Sequence, residues 1–208
     1  MNEVLVVRTG VANLASVLVG LQKAGAKPHV SDDPAAVRAA RAVVLPGVGH
    51  FTAGVRSLAE RGLGAAIAER VQDSRPLLAV CLGMQLLLEA SEEGPGERGL
   101  AVVPGVARLF DAHEGIRVPQ LGWNRVVPSS ECRLLKQGYA YFANSYRLVE
   151  PPAGFASAVT FHGGSFVAAF ERGPVLACQF HPELSGKWGI DLLSRWVSLA
   201  FAEETAAC

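Results

Sequence analysis

Short apolar runs alternate with helical patterns through the first eighty residues, and few folds accommodate that alternation. Val4–Val7, Ala42–Leu45 and Leu77–Val80 are each four consecutive apolar residues, as expected of strands buried on both faces. Pro28-His29-Val30 is a further short strand. Between the runs, Leu14, Val17, Leu18 and Leu21 fall at helical spacing, with Asn13 placed to cap the helix and Gly25 to end it. A short helix is expected near Pro34 to Ala40, and a longer one from roughly Ala53 to Val71. Met84 to Glu89 reads as the first turns of another. Strands that alternate with helices in this way predict a parallel, doubly wound sheet.

The second half changes character. Strand-like stretches at Leu100–Phe110, Arg117–Val127, Tyr139–Val149, Ala156–Phe161, Phe166–Phe170 and Val175–Phe180 are separated by glycine, proline or polar turns. They are expected to extend the sheet with antiparallel strands. Ser91–Gly99 reads as a polar loop. Gly186–Glu203 is an amphipathic helix, with Trp188, Leu192, Leu193, Trp196, Val197 and Phe201 as its buried face. No repeat or long linker divides the chain, so one domain over residues 1–208 is expected.

Composition excludes several classes of function. Nineteen Lys and Arg balance nineteen Asp and Glu, so a nucleic acid or an anionic membrane surface is a poor partner. No apolar run approaches the ~20 residues of a membrane span. Met1-Asn2-Glu3 leads straight into a strand pattern without a leader, which points to the cytoplasm. Cys81, Cys132, Cys178 and Cys208 lie far apart with no C-x-x-C pair, so neither a metal site nor a disulfide framework is expected. His29, His113 and His162 lack ligand spacing and read as surface or loop residues. Trp123 and Trp196 read as packing or interface residues. No phosphate-binding G-x-x-x-x-G-K-[ST] motif occurs, and no cofactor is implied.

Chemistry concentrates at Cys81. It ends an apolar strand and precedes a helix, with Gly83 leaving room for the turn. A sharp strand-to-helix turn lifts a side chain out of the sheet, and a helix N-terminus favours a thiolate. A buried cysteine is equally often a small hydrophobe. The stretch Gln179-Phe180-His181-Pro182-Glu183 shifts the balance. A cysteine nucleophile needs a histidine base, and the base needs an orienting group. In an extended segment His181 and Glu183 would point to the same side, and Pro182 favours extended backbone at His181. The glycine-rich turn Pro46-Gly47-Val48-Gly49-His50-Phe51 follows a buried strand, where functional loops of open α/β sheets gather. His50 there is expected to make a local hydrogen bond.

Cys81-Leu82-Gly83-Met84-Gln85 together with Phe180-His181-Pro182-Glu183 resembles the class I (triad) glutamine amidotransferases. Three further stretches, Pro46–Phe51, Val118–Asn124 and Tyr141–Tyr146, make the chain similar, over essentially its entire length, to the glutaminase subunits of imidazole glycerol phosphate synthases, from histidine biosynthesis. The resemblance implies an amidotransferase-like (flavodoxin-like) α/β fold with a mostly parallel sheet flanked by helices. It implies hydrolysis of L-glutamine to glutamate and ammonia through a Cys81 thioester, with His181 as base and Glu183 orienting it. Backbone N–H groups of Leu82 and Val48 would form the oxyanion hole. Gly47, Gln85, Ser145 and Tyr146 would hold the substrate. It also implies a heterodimer with a separate (β/α)8-barrel cyclase, the HisF-type subunit, which consumes the ammonia. Alternatives are a glutaminase subunit for another synthase (anthranilate, aminodeoxychorismate or pyridoxal phosphate) and an inert partner subunit of the same fold.

Several positions depart from the family pattern. Ala79 stands where glycine is common, and Gln120 and Asn144 each replace a usual histidine. Arg8-Thr9-Gly10-Val11-Ala12-Asn13 lacks the usual aspartate-tyrosine start. Leu184 occupies the place of a lysine that commonly faces the cyclase, with Lys187 nearby to compensate.

Overall fold

The computed structural model describes residues 2–10, 14–111 and 115–202. The Asn13 cap, His113 and Cys208 lie outside the described residues. The first half is β1 (Glu3–Val7), α1 (Leu14–Lys23), β2 (Lys27–Ser31), α2 (Pro34–Ala39), β3 (Ala42–Gly47), α3 (Phe51–Glu60), α4 (Leu63–Gln72), β4 (Leu77–Cys81) and α5 (Leu82–Leu86). The second is β5 (Ala90–Ser91), β6 (Val106–Leu109), β7 (Gln120–Pro128), β8 (Gly138–Asn144), β9 (Tyr146–Leu148), β10 (Ala156–Phe161), β11 (Ser165–Arg172), β12 (Val175–Cys178), a 3-10 turn at Pro182–Leu184, and α6 (Gly186–Phe201).

Nine strands form one sheet in the order β2-β1-β3-β4-β12-β11-β10-β7-β8. β2, β1, β3, β4 and β12 run parallel, and the remaining pairs are antiparallel. The sheet is therefore the expected mixed α/β sheet, with one difference: β12 joins the parallel half beside β4. The chain returns to the centre of the sheet there, so the segment after β12 emerges at the same edge as the end of β4. The carboxyl ends of parallel strands are where ligands settle in such sheets. A second sheet, β5-β6-β9, packs alongside.

Alternation along the central strands divides the core. Val4 and Val6 of β1 face one apolar cluster, with α1 and α6; Leu5 and Val7 face the other, with α3 and α4. Both faces of the sheet are covered, which is why these strands read as unbroken apolar runs. In α6, Leu192, Leu193, Trp196 and Val197 are buried, with Trp188 and Phe201 partly so.

Local backbone accounts for the differences from expectation. The helix expected over 53–71 is two, α3 and α4, because Gly62 adopts φ 65° between them. The helix after Cys81 begins at Leu82 and ends at Leu86, a single turn, where Met84–Glu89 was expected. Only Val106–Leu109 of the stretch 100–110 is a strand. The stretch 139–149 is split at Ser145, β8 belonging to the large sheet and β9 to the small one. Such a break is invisible to periodicity, since both halves are strand-like.

Arg70 has no counterpart in the sequence reading. Its guanidinium is fully buried and donates to the carbonyls of Val37, Ala40, Arg41 and Pro76. Burial, helped by repulsion from Arg75, lowers its pKa to about 10, so it stays charged at neutral pH. It ties α2 and the entry to β3 to the entry to β4, at the end of the sheet away from Cys81. Removing it takes a donor from four carbonyls, of which Ala40 keeps Arg75 and Pro76 keeps the Val43 N–H. Arg70→Met should therefore lower stability by about 3 kcal/mol or more in a denaturant melt, with the remaining folded protein keeping its activity at low temperature.

Candidate active site

β4 is buried along its whole length and delivers Cys81 to the carboxyl edge of the sheet. The turn there is sharp: Cys81 has φ 54° and ψ −111°, a combination that costs a residue with a side chain about 1–3 kcal/mol. Two glycines make the turn possible. A Cβ on Gly83 would sit 2.1 Å from the Leu45 carbonyl oxygen, and one on Gly47 2.9 Å from the Gly83 nitrogen. Gly47 pairs with Cys81 across β3 and β4. The ends of the two strands thus touch the elbow directly, and no side chain fits between them.

β12 lies beside β4, and the chain leaves it at Gln179-Phe180-His181. The His181 backbone is pinned on both sides. Its N–H donates to the Tyr141 carbonyl at 3.0 Å, and its carbonyl accepts from the Ser185 hydroxyl at 2.6 Å. His181 is extended, but Pro182–Leu184 then curls into a 3-10 turn. The expected same-side geometry arises from that turn and not from an extended dipeptide. His181 Nδ1 donates to Glu183 Oε1 at 2.9 Å, with both side chains more than nine-tenths buried. Glu183 fits because α1 presents Gly20, whose added Cβ would lie 2.8 Å from Glu183 Cβ.

Burial alone would lower the His181 pKa. Hydrogen bonds to Cys81 and Glu183 outweigh it and push the value up to about 10. The imidazole is consequently an imidazolium at neutral pH, facing a sulfur on one side and a carboxylate on the other. The linkage has a definite sign. A pKa raised from 6.5 to about 10 stabilises the fold fully below pH 6.5, and that contribution fades as pH rises to about 10.

Cys81 and His181 open onto a cleft of about 280 Å³. Of the residues expected around the site, Val48, Leu82, Gln85, Ser145 and Tyr146 line it. Gly47 does not: it is buried behind the wall, against Leu82 and Gly83. His50 caps α3, its Nδ1 accepting from the Thr52 N–H, as expected of a local role. Ser145 enters the cleft because the chain switches sheets there. Gln85 is almost fully buried and donates to the Tyr146 carbonyl and to Gln179 Oε1.

Two features at the site, Glu93 in the cleft wall and Gln179 behind it, have no signal in the sequence. Glu93, in the stretch read as a polar loop, lines the cleft and accepts from the Phe51 N–H at 2.7 Å. Gln179 is fully buried, with its Nε2 3.7 Å from the Cys81 sulfur. Neither has a sequence signal of its own, since each role depends on a contact 42 or 98 residues away.

The departures are placed plainly. Gln120 and Asn144 sit opposite each other across β7 and β8, both buried. Both amide atoms of Gln120, and Oδ1 of Asn144, lack a protein partner. Replacing histidine by an amide therefore does not preserve a hydrogen bond at Gln120, while Asn144 keeps one, to the Tyr146 carbonyl. Ala79 is buried in β4. Leu184 is 42% exposed, and Lys187 pairs with Asp191 one helical turn on. Among the described residues no group of histidine, cysteine and carboxylate side chains could hold a metal, and no helix is long and apolar enough to cross a membrane.

The chain matches the family model "Glutamine amidotransferase class-I" over residues 7–197. It is 42% identical over 202 residues to the imidazole glycerol phosphate synthase subunit HisH of Herpetosiphon aurantiacus, covering 96% of this chain and 95% of that one. The HisH subunit of Symbiobacterium thermophilum is 42% identical over 201 residues, covering 94% and 93%. Among solved structures, a glutamine amidotransferase superposes with a TM-score of 0.75 at 18% identity, covering 95% of this chain and 99% of that one. PurLQS from Thermotoga maritima superposes with a TM-score of 0.68 at 15% identity, covering 94% and 96%. With near-complete coverage and that identity on one side, and the elbow, imidazolium and carboxylate on the other, the chain belongs to the class-I glutamine amidotransferase family, among the HisH subunits of imidazole glycerol phosphate synthase.

Proposed function

We propose that Cys81, His181 and Glu183 are the catalytic triad with which this chain, a glutaminase subunit of imidazole glycerol phosphate synthase, hydrolyses glutamine. The observation that carries the assignment is the buried His181–Glu183 pair turned toward a cysteine on a strained elbow. A protonated His181 beside the sulfur favours negative charge there and holds a proton for the leaving group. The thiolate attacks the side-chain amide carbon, forming the S–C bond. The oxyanion that results is stabilised by the Leu82 and Val48 N–H groups, each such donor contributing on the order of 3 kcal/mol. As the C–N bond breaks, His181 gives its proton to the leaving nitrogen, and ammonia departs. Water then attacks the thioester carbon, giving one proton to His181; the C–S bond breaks, the sulfur is released as a thiolate, and glutamate leaves with its carboxyl proton lost to solvent. Gly47 shapes the oxyanion turn from behind. Gln85, Ser145 and Tyr146 border the substrate's amino-acid end, and Glu93, the one carboxylate among the described residues of the cleft wall, suits its ammonium group.

Ammonia released to neutral water becomes ammonium and loses its lone pair. The fitting outlet is a HisF-type (β/α)8-barrel cyclase bound as a separate chain in a heterodimer. Leu121, Trp123 and Leu184 are large, exposed apolar residues, and Leu121 also lines the cleft, which suits a surface that a partner covers. The chain acts as a single amidotransferase domain in the cytoplasm, with no cofactor or metal.

Ammonia release from glutamine, measured with and without the cyclase and its ligand, tests the assignment. We expect activation of about 10- to 100-fold; a subunit already at full rate alone would contradict coupling. Cys81→Ala should abolish release while leaving complex formation intact, and surviving activity would remove Cys81 as nucleophile. The alkaline limb of kcat/KM should fall near pH 10, where His181 loses its proton. Glu183→Gln removes a group that raises that pKa, so the limb should move to lower pH and kcat should drop about 10²-fold. An unshifted limb would mean that Glu183 does not act through His181.

A further inference from the structure

We propose that Gln179 is a positioning residue that donates an amide N–H to the Cys81 sulfur and holds the nucleophile as a thiolate. This role rests on Cys81 being the nucleophile. Gln179 follows β12, the parallel neighbour of β4, and its side chain is fully buried. Its Nε2 lies 3.7 Å from Cys81 Sγ, within hydrogen-bonding range of sulfur, and its Oε1 accepts from Gln85 Nε2 at 2.9 Å.

The direction of the donor is fixed by a carbonyl at the far end of the chain of amides. Gln85 Nε2 also reaches the Tyr146 carbonyl at 3.4 Å, and Asn144 Nδ2 reaches the same oxygen at 2.9 Å. A carbonyl only accepts, so Gln85 must turn its NH2 toward it. That NH2 also faces Gln179, which must then answer with its oxygen. The remaining end of Gln179, its NH2, is the end left for the sulfur. An N–H donor favours the charged form of its acceptor. The donor adds to the His181 imidazolium, because α5 is a single turn of five residues, too short to supply much of a dipole. The same chain of amides reaches the cleft-lining segment Ser145–Tyr146, so a substrate that moves the Tyr146 carbonyl disturbs the donor on the sulfur.

Two variants separate this role from packing. Gln179→Met keeps the length and removes the donor. Gln179→Glu keeps the shape and the acceptor toward Gln85, and replaces the donor by a carboxylate. The full-length protein is treated with iodoacetamide across about pH 5–10, and modification of the Cys81 peptide is followed by mass spectrometry. We expect the whole profile to move to higher pH in Gln179→Met, so that alkylation on the acid side of its midpoint slows roughly 3- to 10-fold. Gln179→Glu should move it further. With the cyclase present, the loss should fall on kcat more than on KM. Melting curves identify the folded variants, and the isosteric Glu variant covers the case in which Met disturbs the core. A profile that coincides with that of the unchanged protein in a folded variant overturns the proposal. Alkylation needs no glutamine, so an unchanged protein that fails to consume glutamine would end the functional assignment separately.

Discussion

The contact between the Leu45 carbonyl and the backbone at Gly83 governs the site. It exists because β3 and β4 are adjacent parallel strands whose ends meet at the elbow, Gly47 opposite Cys81. A strained φ at Cys81 is tolerated only where the surroundings over-determine it. Here they do, since all five residues of β4 are buried between two neighbouring strands and both core layers. The stability of the sheet is in effect used to hold one thiol in an unfavourable backbone conformation above its own plane.

The partner groups arrive by topology. β12 is placed beside β4 by a long excursion through β5 to β11, four of which form the antiparallel half of the large sheet, and only that return puts His181 at the same edge as Cys81. Its backbone is then fixed by β8 through Tyr141 and by the Ser185 hydroxyl, and its ring by Glu183. Because ring and carboxylate are both buried, the ion pair works in a low-dielectric setting, where each charge strongly raises the need for the other. The histidine's pKa is thereby pushed up to about 10, which keeps it charged at neutral pH.

Legibility varied with the range of the interaction. Cys81, His181 and Glu183 stood out because reactive residue types sit at chemically meaningful local spacings. An extended segment alone does not make His181 and Glu183 face together, because Pro182 opens a 3-10 turn that sets the geometry at Glu183. Glu93 sits in a stretch that reads as a polar loop, and Gln179 carries no sequence signal of its role. A carboxylate and an amide have too many uses for their purpose to be read without knowing their neighbours. Gln120 and Asn144 illustrate the same limit: their polarity was plain, their direct opposition and unpartnered atoms were not.

By itself the chain determined an α/β sheet, the strand-to-helix cysteine, the histidine-carboxylate pair and the apolar stripe of α6, because each is set by residue periodicity or by neighbours a few positions apart. Tertiary structure alone decided that β12 runs parallel to β4, that Ser145 marks a change of sheet, that Gly47 lies behind the cleft wall, and that Gln179 meets the sulfur. Those outcomes depend on which distant backbones pair and pack. That choice is made by burying both faces of the sheet at once, a condition no short stretch of sequence contains.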